Sequence, residues 1–263
     1  SIIYLENTSF DILINLDKDR EACGLANKIQ AKEKFGYMLK DGVPHPANKL
    51  AEHKLSTGIF DDISIANTKS YVEEIFEIAG WKFADEEYVF DNHDDKGFLW
   101  MFDKSKKLIG LNTGCGDRWT TRLWSEKKWL ELIASLKEKG YEPVLLGGQQ
   151  EDEKNIKLSK ASGALYPGYF SLPQFINLAN QMDVIVSQVT MAMHIAVGLR
   201  KRLILMNNIF NPDEFYLYKR GQMVSPSKKC DCFYRGSCIH GTSCMEDLAP
   251  DKVMEAIENS LKH

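Results

Sequence analysis

The chain has 263 residues, enough for more than one hydrophobic core, and its composition is that of a globular protein. Its formal net charge of −4 argues against general nucleic-acid binding. We predict neither a signal peptide nor a membrane span, since no apolar run has the necessary length. The six cysteines are unevenly placed, with four of them between Cys230 and Cys244, so they do not indicate the disulfide framework of a secreted protein. We therefore expect a cytoplasmic protein.

The first part of the chain predicts short strands and helices. They are, in order, a strand over residues 10–16, a helix over 20–34, a strand over 35–39 that turns at Asp41-Gly42, and a helix over 68–79 that ends at Gly80. The charged residues 91–107 are interpreted as a link between domains, packed through Trp100 and Phe102. Because the chain opens on the apolar residues 2–5 without an initiator Met, we expect that it was processed or that an N-terminal portion is absent.

The second part alternates regularly between strands and helices. Strands are predicted over residues 107–112, 142–146, 183–187 and 202–206, and helices over 125–140, 151–162, 172–182, 191–199 and 250–261. This alternation is typical of a parallel sheet covered by helices on both faces. Ligands of such sheets bind at the carboxyl ends of the strands. Small and polar residues follow three of these strands, which predicts a ligand-binding α/β domain.

The junction at residues 183–199 is the most informative of these sites. A β-branched strand leads directly into a helix, and a helix N-terminus there presents free N–H groups and a positive dipole end to an anion such as phosphate. Thr190 lies in the first turn and His194 four residues later on the same face. They could bind one phosphate together. The alternative is that Thr190 caps the helix and His194 is solvated.

Five sequence features follow one another through this part of the chain. They are Asn112-Thr113-Gly114, Arg122 followed by Trp124 and Trp129, Gly147-Gly148 followed by Glu151, a helix opening at Ser171-Leu172, and Thr190 followed by His194 and Ala196. Their order and spacing resemble the heptosyltransferase-like glycosyltransferases (glycosyltransferase family 9), over nearly the whole chain. The resemblance implies an α/β protein of the GT-B type, with two Rossmann-like domains and parallel sheets, the N-terminal one incomplete.

The resemblance also implies roles for individual residues in binding a nucleotide-sugar donor. Thr113 and Arg122 would contact the diphosphate, Glu151 would accept ribose hydroxyls, and Thr190 and His194 would bind phosphate. A guanidinium suits bidentate phosphate binding and the charge that develops on a leaving diphosphate. The alternatives are that Arg122 is an exposed loop charge and that Glu151 is a carboxylate at a helix N-terminus, where the helix dipole favours it.

Two departures from the family pattern bear on activity. Val189 and Met191 flank Thr190 where the family has Asp and Gly, and Met191 places a side chain where backbone approaches the phosphates. The family's general base, an N-terminal Asp, has no counterpart in the chain, so the catalytic residue is unassigned. The leading hypothesis is an inverting glycosyltransferase that needs no metal for catalysis. The alternatives are a non-catalytic nucleotide-sugar-binding or scaffolding relative, and another GT-B enzyme such as an epimerase, which needs a carboxylate-rich cleft.

The cysteine segment contains Cys230, Cys232, Cys238 and Cys244. Four thiolates within fifteen residues could surround Zn or Fe tetrahedrally in a structural site. Two disulfides or free buried thiols are the alternatives. Relatives in the family, including iron-bearing heptosyltransferases, also carry cysteines just before the last helix.

The predicted domains are residues 1–105 (a partial acceptor-side domain), 106–249 (the nucleotide-sugar-binding domain) and 250–263 (a closing helix). The resemblance implies an ADP-heptose-like donor and a lipopolysaccharide or related glycan acceptor. It also implies peripheral association with the inner face of the inner membrane and no nucleic-acid partner.

Overall fold

The computed structural model describes residues 2–90, 100–228 and 230–262. Its helices are α1 (Ile2–Glu6), α2 (Arg20–Lys28), α3 (Glu52–Thr57), α4 (Asp61–Ala66), α5 (Tyr71–Ile78), α6 (Glu126–Glu138), α7 (Asp152–Ser162), α8 (Leu172–Asn180), α9 (Met191–Gly198) and α10 (Pro250–Lys262). Its strands are β1 (Ser9–Asn15), β2 (Gln30–Lys40), β3 (Val43–Pro46), β4 (Leu108–Asn112), β5 (Glu142–Leu146), β6 (Val184–Gln188), β7 (Arg202–Met206) and β8 (Gly221–Val224). None of the helices in these three ranges has both the length and the hydrophobicity of a membrane span.

The backbone separates into two compact units. Unit 1 is Ser1–Glu86 with Asn211–Tyr216, and unit 2 is Glu87–Phe210 with Leu217–His263. The domain bounds predicted from the sequence, 1–105, 106–249 and 250–263, stay a prediction. Most of the predicted link, residues 91–99, lies outside the described residues.

Unit 1 is built on a three-stranded sheet. β1 pairs in parallel with β2, which forms an antiparallel hairpin with β3 across the turn at Asp41-Gly42. The core beneath the sheet contains Cys23, Tyr37 and Ile78. Helix α5 begins with a capping box, in which Ser70 accepts from the backbone N–H of Glu73 and the Glu73 side chain accepts from that of Ser70.

The predicted helix over residues 20–34 is wrong in its second half. Helix α2 ends at Lys28, and β2 already begins at Gln30 and runs eleven residues. Residues 30–34 are polar apart from Ala31, so they offer a helix no apolar stripe to bury. Pairing with β1, from Ser9 opposite Gln30 onward, satisfies their backbone groups instead.

Unit 2 contains a five-stranded sheet in which every pair is parallel, in the order β5-β4-β6-β7-β8. The strands predicted over residues 107–112, 142–146, 183–187 and 202–206 are confirmed to within one residue at either end. The four-residue edge strand β8 was not predicted from the sequence. Helices α6 and α10 bury Trp129, Leu132 and Ile257 against the sheet, which makes this the larger core.

The strand order reverses direction at β4. The chain moves from β4 to β5 on one side and then returns to β6 on the other. The loops that leave these strands therefore diverge and open a crevice outside their carboxyl ends, which is where open α/β sheets bind ligands.

Candidate functional site

A cavity of about 480 Å³ occupies this crevice in unit 2. Its walls are the loops that follow β4, β5 and β6 together with the start of helix α8. The lining residues are Asn112, Gly114, Cys115, Gly116, Gly147, Gly148, Gln150, Glu151, Phe170, Leu172, Phe175, Thr190, Met191 and Ala192. Among these lining residues, all of them described, Glu151 alone carries a formal charge at neutral pH. Glycines and apolar side chains form most of the remaining wall, as in other small-molecule sites.

The side chain of Asn112, at the end of β4, joins two of the loops. Its Nδ2 donates to the carbonyl of Gly114 at 3.0 Å and to the hydroxyl of Ser187 at 3.2 Å. Thr190 Oγ1 lies 3.4 Å from the same Nδ2 and 3.1 Å from Ser187 Oγ. It also accepts from the backbone N–H of Ala192 at 3.2 Å and so caps helix α9. Thr190 thus lines the cavity and caps the helix at once, and its binding of phosphate stays a prediction.

The guanidinium of Arg122 lies behind the same loops. It donates to the carbonyls of Val189 and, at 2.8 Å, Cys115, and it contacts the ring of Phe210 at 5.3 Å. Arg122 is 6% exposed. Within the described part of the chain no carboxylate pairs with it. Burial lowers the pKa of Arg122, although a guanidinium stays protonated at neutral pH.

A buried positive charge without a carboxylate partner is unusual in a folded protein. Arg122 is compensated by carbonyl dipoles and by the ring of Phe210, and the carbonyls of Cys115 and Val189 belong to the loops that carry Gly116 and Thr190 into the cavity wall. The interpretation of Arg122 as an exposed loop charge is therefore wrong. The charge favours an anion in the cavity, since low-polarity surroundings screen it weakly.

A second cation, Lys154, lies near the first loop and was not singled out from the sequence. Its Nζ donates to the carbonyl of Thr113 at 2.8 Å. Burial lowers the pKa of Lys154, and the neighbouring Glu151 opposes that shift. Thr113 itself is fully buried and donates to Oδ1 of Asn155 at 2.6 Å. Thr113 therefore supports the loop and does not line the cavity.

Glu151 holds the loop that follows β5. Its Oε2 accepts from the backbone N–H of Gly148 at 2.9 Å. Its carboxylate also lies over Gly114, where a Cβ atom would collide with the carboxyl group. A side chain at position 114 would therefore have to displace the Glu151 carboxylate from its place against Gly148.

His194 lies one turn further along α9, on an exposed part of the helix, and does not line the cavity. Its Nδ1 is 3.3 Å from the hydroxyl of Tyr88, and the two rings are stacked with centroids 6.4 Å apart. Desolvation by the surrounding protein lowers the pKa of His194. The imidazole is therefore mostly neutral at pH 7 and able to take up a proton when an anion approaches.

The cysteine segment forms a separate cavity of about 480 Å³, which all four cysteines line with Asp231 and His240. Cys232 Sγ and Cys238 Sγ are 3.7 Å apart, and Cys230 Sγ accepts from the backbone N–H of Cys232 at 3.3 Å. Burial, opposed by this N–H, raises the pKa of Cys230 to about 12. None of the six cysteines forms a disulfide. Across the described residues, no three His, Cys, Asp or Glu side chains are arranged to hold a metal ion.

The fold defines a Rossmann-like unit of the kind that GT-B glycosyltransferases contain. Residues 4–237 match the family described as glycosyltransferase family 9 (heptosyltransferase). The chain therefore belongs to this family, as its sequence resemblance predicted. Among curated proteins no significant match was found.

Solved structures confirm the GT-B fold. E. coli ADP-heptose LPS heptosyltransferase II is 16% identical with a TM-score of 0.66, over 96% of this chain and 76% of that one. E. coli heptosyltransferase WaaC with ADP is 17% identical with a TM-score of 0.64, over 98% and 75%. TibC, an iron-containing dodecameric glycosyltransferase from enterotoxigenic E. coli, is 13% identical with a TM-score of 0.56, over 90% and 64%. At these identities the likeness shows the fold alone.

The packing of Glu151 on Gly114 gives a test of the cavity wall. Gly114→Ala places a methyl group in the carboxylate, so we expect the free energy of unfolding to fall by about 1–3 kcal/mol in a denaturant titration. Adding Glu151→Ala removes the collision, and the double variant should recover most of that loss. Gly148→Ala is the control, because its Cβ would lie 3.6 Å from Glu151, an ordinary contact. Additive losses for the two changes at positions 114 and 151 would show that they are not in contact.

Proposed function

We propose that the chain transfers a sugar from a nucleoside diphosphate to a hydroxyl of a glycan acceptor, with inversion at the sugar carbon. In such a transfer the bond between that carbon and the diphosphate oxygen breaks, and a bond to the acceptor oxygen forms. The acceptor proton leaves, and the diphosphate departs with additional negative charge. Family membership and the GT-B fold support a sugar transferase.

The observation that carries the proposal is the buried guanidinium of Arg122, which has no carboxylate partner among the described residues and lies behind the cavity at the carboxyl edge of the sheet. A diphosphate near Thr190 would meet the N-terminus of α9 and the field of this buried charge. Arg122 acts in this proposal from behind the loops, through the Cys115 and Val189 segments that it holds. Thr113 and Lys154 support the same wall.

The other end of the cavity suits the nucleoside. Glu151 lines it with a carboxylate that can accept hydrogen bonds from ribose hydroxyls, and Phe170, Leu172 and Phe175 supply apolar surface for a base. We propose an ADP-heptose-like donor, since WaaC, of the same family fold, has been solved with ADP and with ADP-2-deoxy-2-fluoro heptose. We further propose a lipopolysaccharide or related glycan acceptor, and cytoplasmic action at the inner face of the membrane.

Met191 favours the second candidate function, a non-catalytic nucleotide-sugar-binding relative. Its side chain lines the cavity and is 60% exposed, at a position where the family has glycine. Val189 likewise brings no carboxylate to the donor site. Such a protein would bind the nucleotide without transferring its sugar. Turnover of ADP-heptose by a preparation that binds ADP distinguishes the two functions.

ADP binding and its pH dependence test the role proposed for His194. Because burial lowers the pKa of His194 in the free protein, a phosphate beside it must draw in a proton. The proton-coupled part of the ADP affinity should therefore increase as the pH falls from about 8 to about 6. His194→Gln should remove that part and weaken binding by about 1–3 kcal/mol.

Calorimetry with ADP in two buffers of different ionisation enthalpy measures this proton uptake, and UDP tests the choice of base. His45→Gln is the matched control, an exposed histidine of unit 1. An affinity and proton uptake unchanged in His194→Gln would remove His194 from the site. No binding of ADP or UDP by the wild-type protein would contradict the donor site as a whole.

We also propose that the cysteine segment binds a structural Zn or Fe ion through Cys230, Cys232, Cys238 and Cys244. The shared cavity and the 3.7 Å separation of Cys232 and Cys238 support this proposal, and TibC is an iron-containing protein of the same fold. The cysteine side chains would have to rotate to bring the four sulfurs to one centre, since the described residues contain no such arrangement. Because all four ligands come from the protein, no position would remain open for catalysis.

Metal analysis tests this proposal directly. Protein purified without added metal should contain about one equivalent of zinc or iron, since four thiolates form a closed tetrahedral site. Cys232→Ser with Cys238→Ser should remove the metal and lower the thermal unfolding temperature, whereas Cys23→Ser in unit 1 should retain it. A wild-type content below about a tenth of an equivalent would contradict the proposal.

A further inference from the structure

A third cavity of unit 2 lies at the opposite, amino-terminal edge of the parallel sheet. Its volume is about 780 Å³. Asp183 lines it just before β6, Arg202 begins β7 and Gly221 begins β8. A strand of five residues spans about 15 Å, so the length of the strands separates this cavity from the carboxyl-edge cavity.

The lining of this cavity is strongly basic. Its positively charged residues are Arg200, Lys201, Arg202, Lys219 and Arg220, and Asp183 is its one carboxylate among the lining residues. The backbone of Arg200 and of Lys219 is left-handed, with φ of 56° at both. Each of these turns leads into a strand, so the two basic segments reach the same edge of the sheet.

The nearby carboxylates are already occupied. Asp183 Oδ1 accepts from Lys107 Nζ at 2.8 Å, and its Oδ2 accepts from the backbone N–H of Leu108 at 2.9 Å. Glu87 forms two hydrogen bonds of 2.7 Å with the guanidinium of Arg220 and lies 3.9 Å from Arg200 Nε.

Three cations of the cavity are left without an acidic partner. For the part of the chain that the structure describes, no carboxylate oxygen lies within ion-pair distance of Lys201, Arg202 or Lys219. Lys201 and Arg202 are half-buried, and burial lowers the pKa of Lys201 against the attraction of Asp183. Cations held together and partly removed from water repel one another, and a bound anion would relieve that repulsion.

We propose that this cavity binds a ligand carrying two or more phosphate groups, with Arg202, Lys201 and Lys219 as its principal contacts. Arginine pairs with phosphate oxygens through two parallel hydrogen bonds, and lysine adds a mobile point charge. The volume lies within the usual range for small-molecule sites and exceeds what a single phosphate fills. Asn259 and Ser260 of α10 add polar atoms to one wall. This site does not depend on nucleotide binding at the opposite edge.

Inorganic tripolyphosphate is the probe for the test, titrated into the full chain by calorimetry. Wild-type protein should bind it at about 50 mM salt and several-fold more weakly at about 200 mM, because binding releases counterions. Arg202→Gln with Lys219→Gln should weaken binding about tenfold or more. Lys127→Gln with Lys160→Gln, which removes the same charge from exposed positions of α6 and α7, should leave it within about twofold.

A second arm identifies the source of the phosphates. Sedimentation with vesicles of phosphatidic acid in phosphatidylcholine tests a lipid headgroup, with pure phosphatidylcholine as the blank. Loss of vesicle binding in the double variant assigns the site to a lipid, whereas binding of tripolyphosphate alone assigns it to a soluble anion. Equal tripolyphosphate binding by wild type and double variant, or none by the wild type, overturns the proposal. If the double variant does not fold, the exposed Lys219→Gln alone should weaken binding about threefold.

Discussion

The buried charge of Arg122 is the interaction on which the carboxyl-edge cavity depends. Its guanidinium holds the carbonyls of Cys115 and Val189, so the loop after β4 and the loop after β6 are fixed to one group. Asn112 makes a second connection between the same loops from the strand side. Removing the guanidinium would leave those carbonyls buried without donors, and each such group costs about 1–3 kcal/mol. The shape of the cavity and the anion binding that we propose for it thus have one origin.

The regular second half of the chain could be predicted from sequence because both of its signals are local. Buried parallel strands are continuous apolar runs, and their helices carry apolar stripes, as residues 183–199 do. The segment over residues 30–34 could not be predicted in this way, because pairing with β1 decides its structure and that partner is distant in the chain. Strand β8 was missed because four residues at a sheet edge carry little pattern of their own.

The site residues likewise divide into those whose position the local sequence predicts and those whose position tertiary contacts decide. Thr190 and Glu151 follow strands directly, so the topology alone carries them to the cavity. Arg122 and Thr113 were expected to contact the diphosphate, but their side chains lie behind the cavity wall. Hydrogen bonds to Cys115 and Asn155 hold them there, and such tertiary contacts cannot be predicted from the spacing of residues in the sequence. The sequence did not predict a role for Lys154 because a lysine in a polar helix is ordinarily exposed. The cavities at the two edges of the sheet differ in where their cations lie. Cations lie behind the wall of the carboxyl-edge cavity, whereas they line the amino-edge cavity.

We propose that a nucleoside diphosphate binds at the carboxyl edge of the unit 2 sheet. Hydrogen–deuterium exchange measured by mass spectrometry with and without saturating ADP tests this binding. ADP should slow amide exchange in peptides that cover residues 112–116, 147–151 and 189–194, and should leave strand β2 of unit 1, residues 30–40, unchanged. Unchanged exchange in all three loops would show that the diphosphate does not bind at this edge.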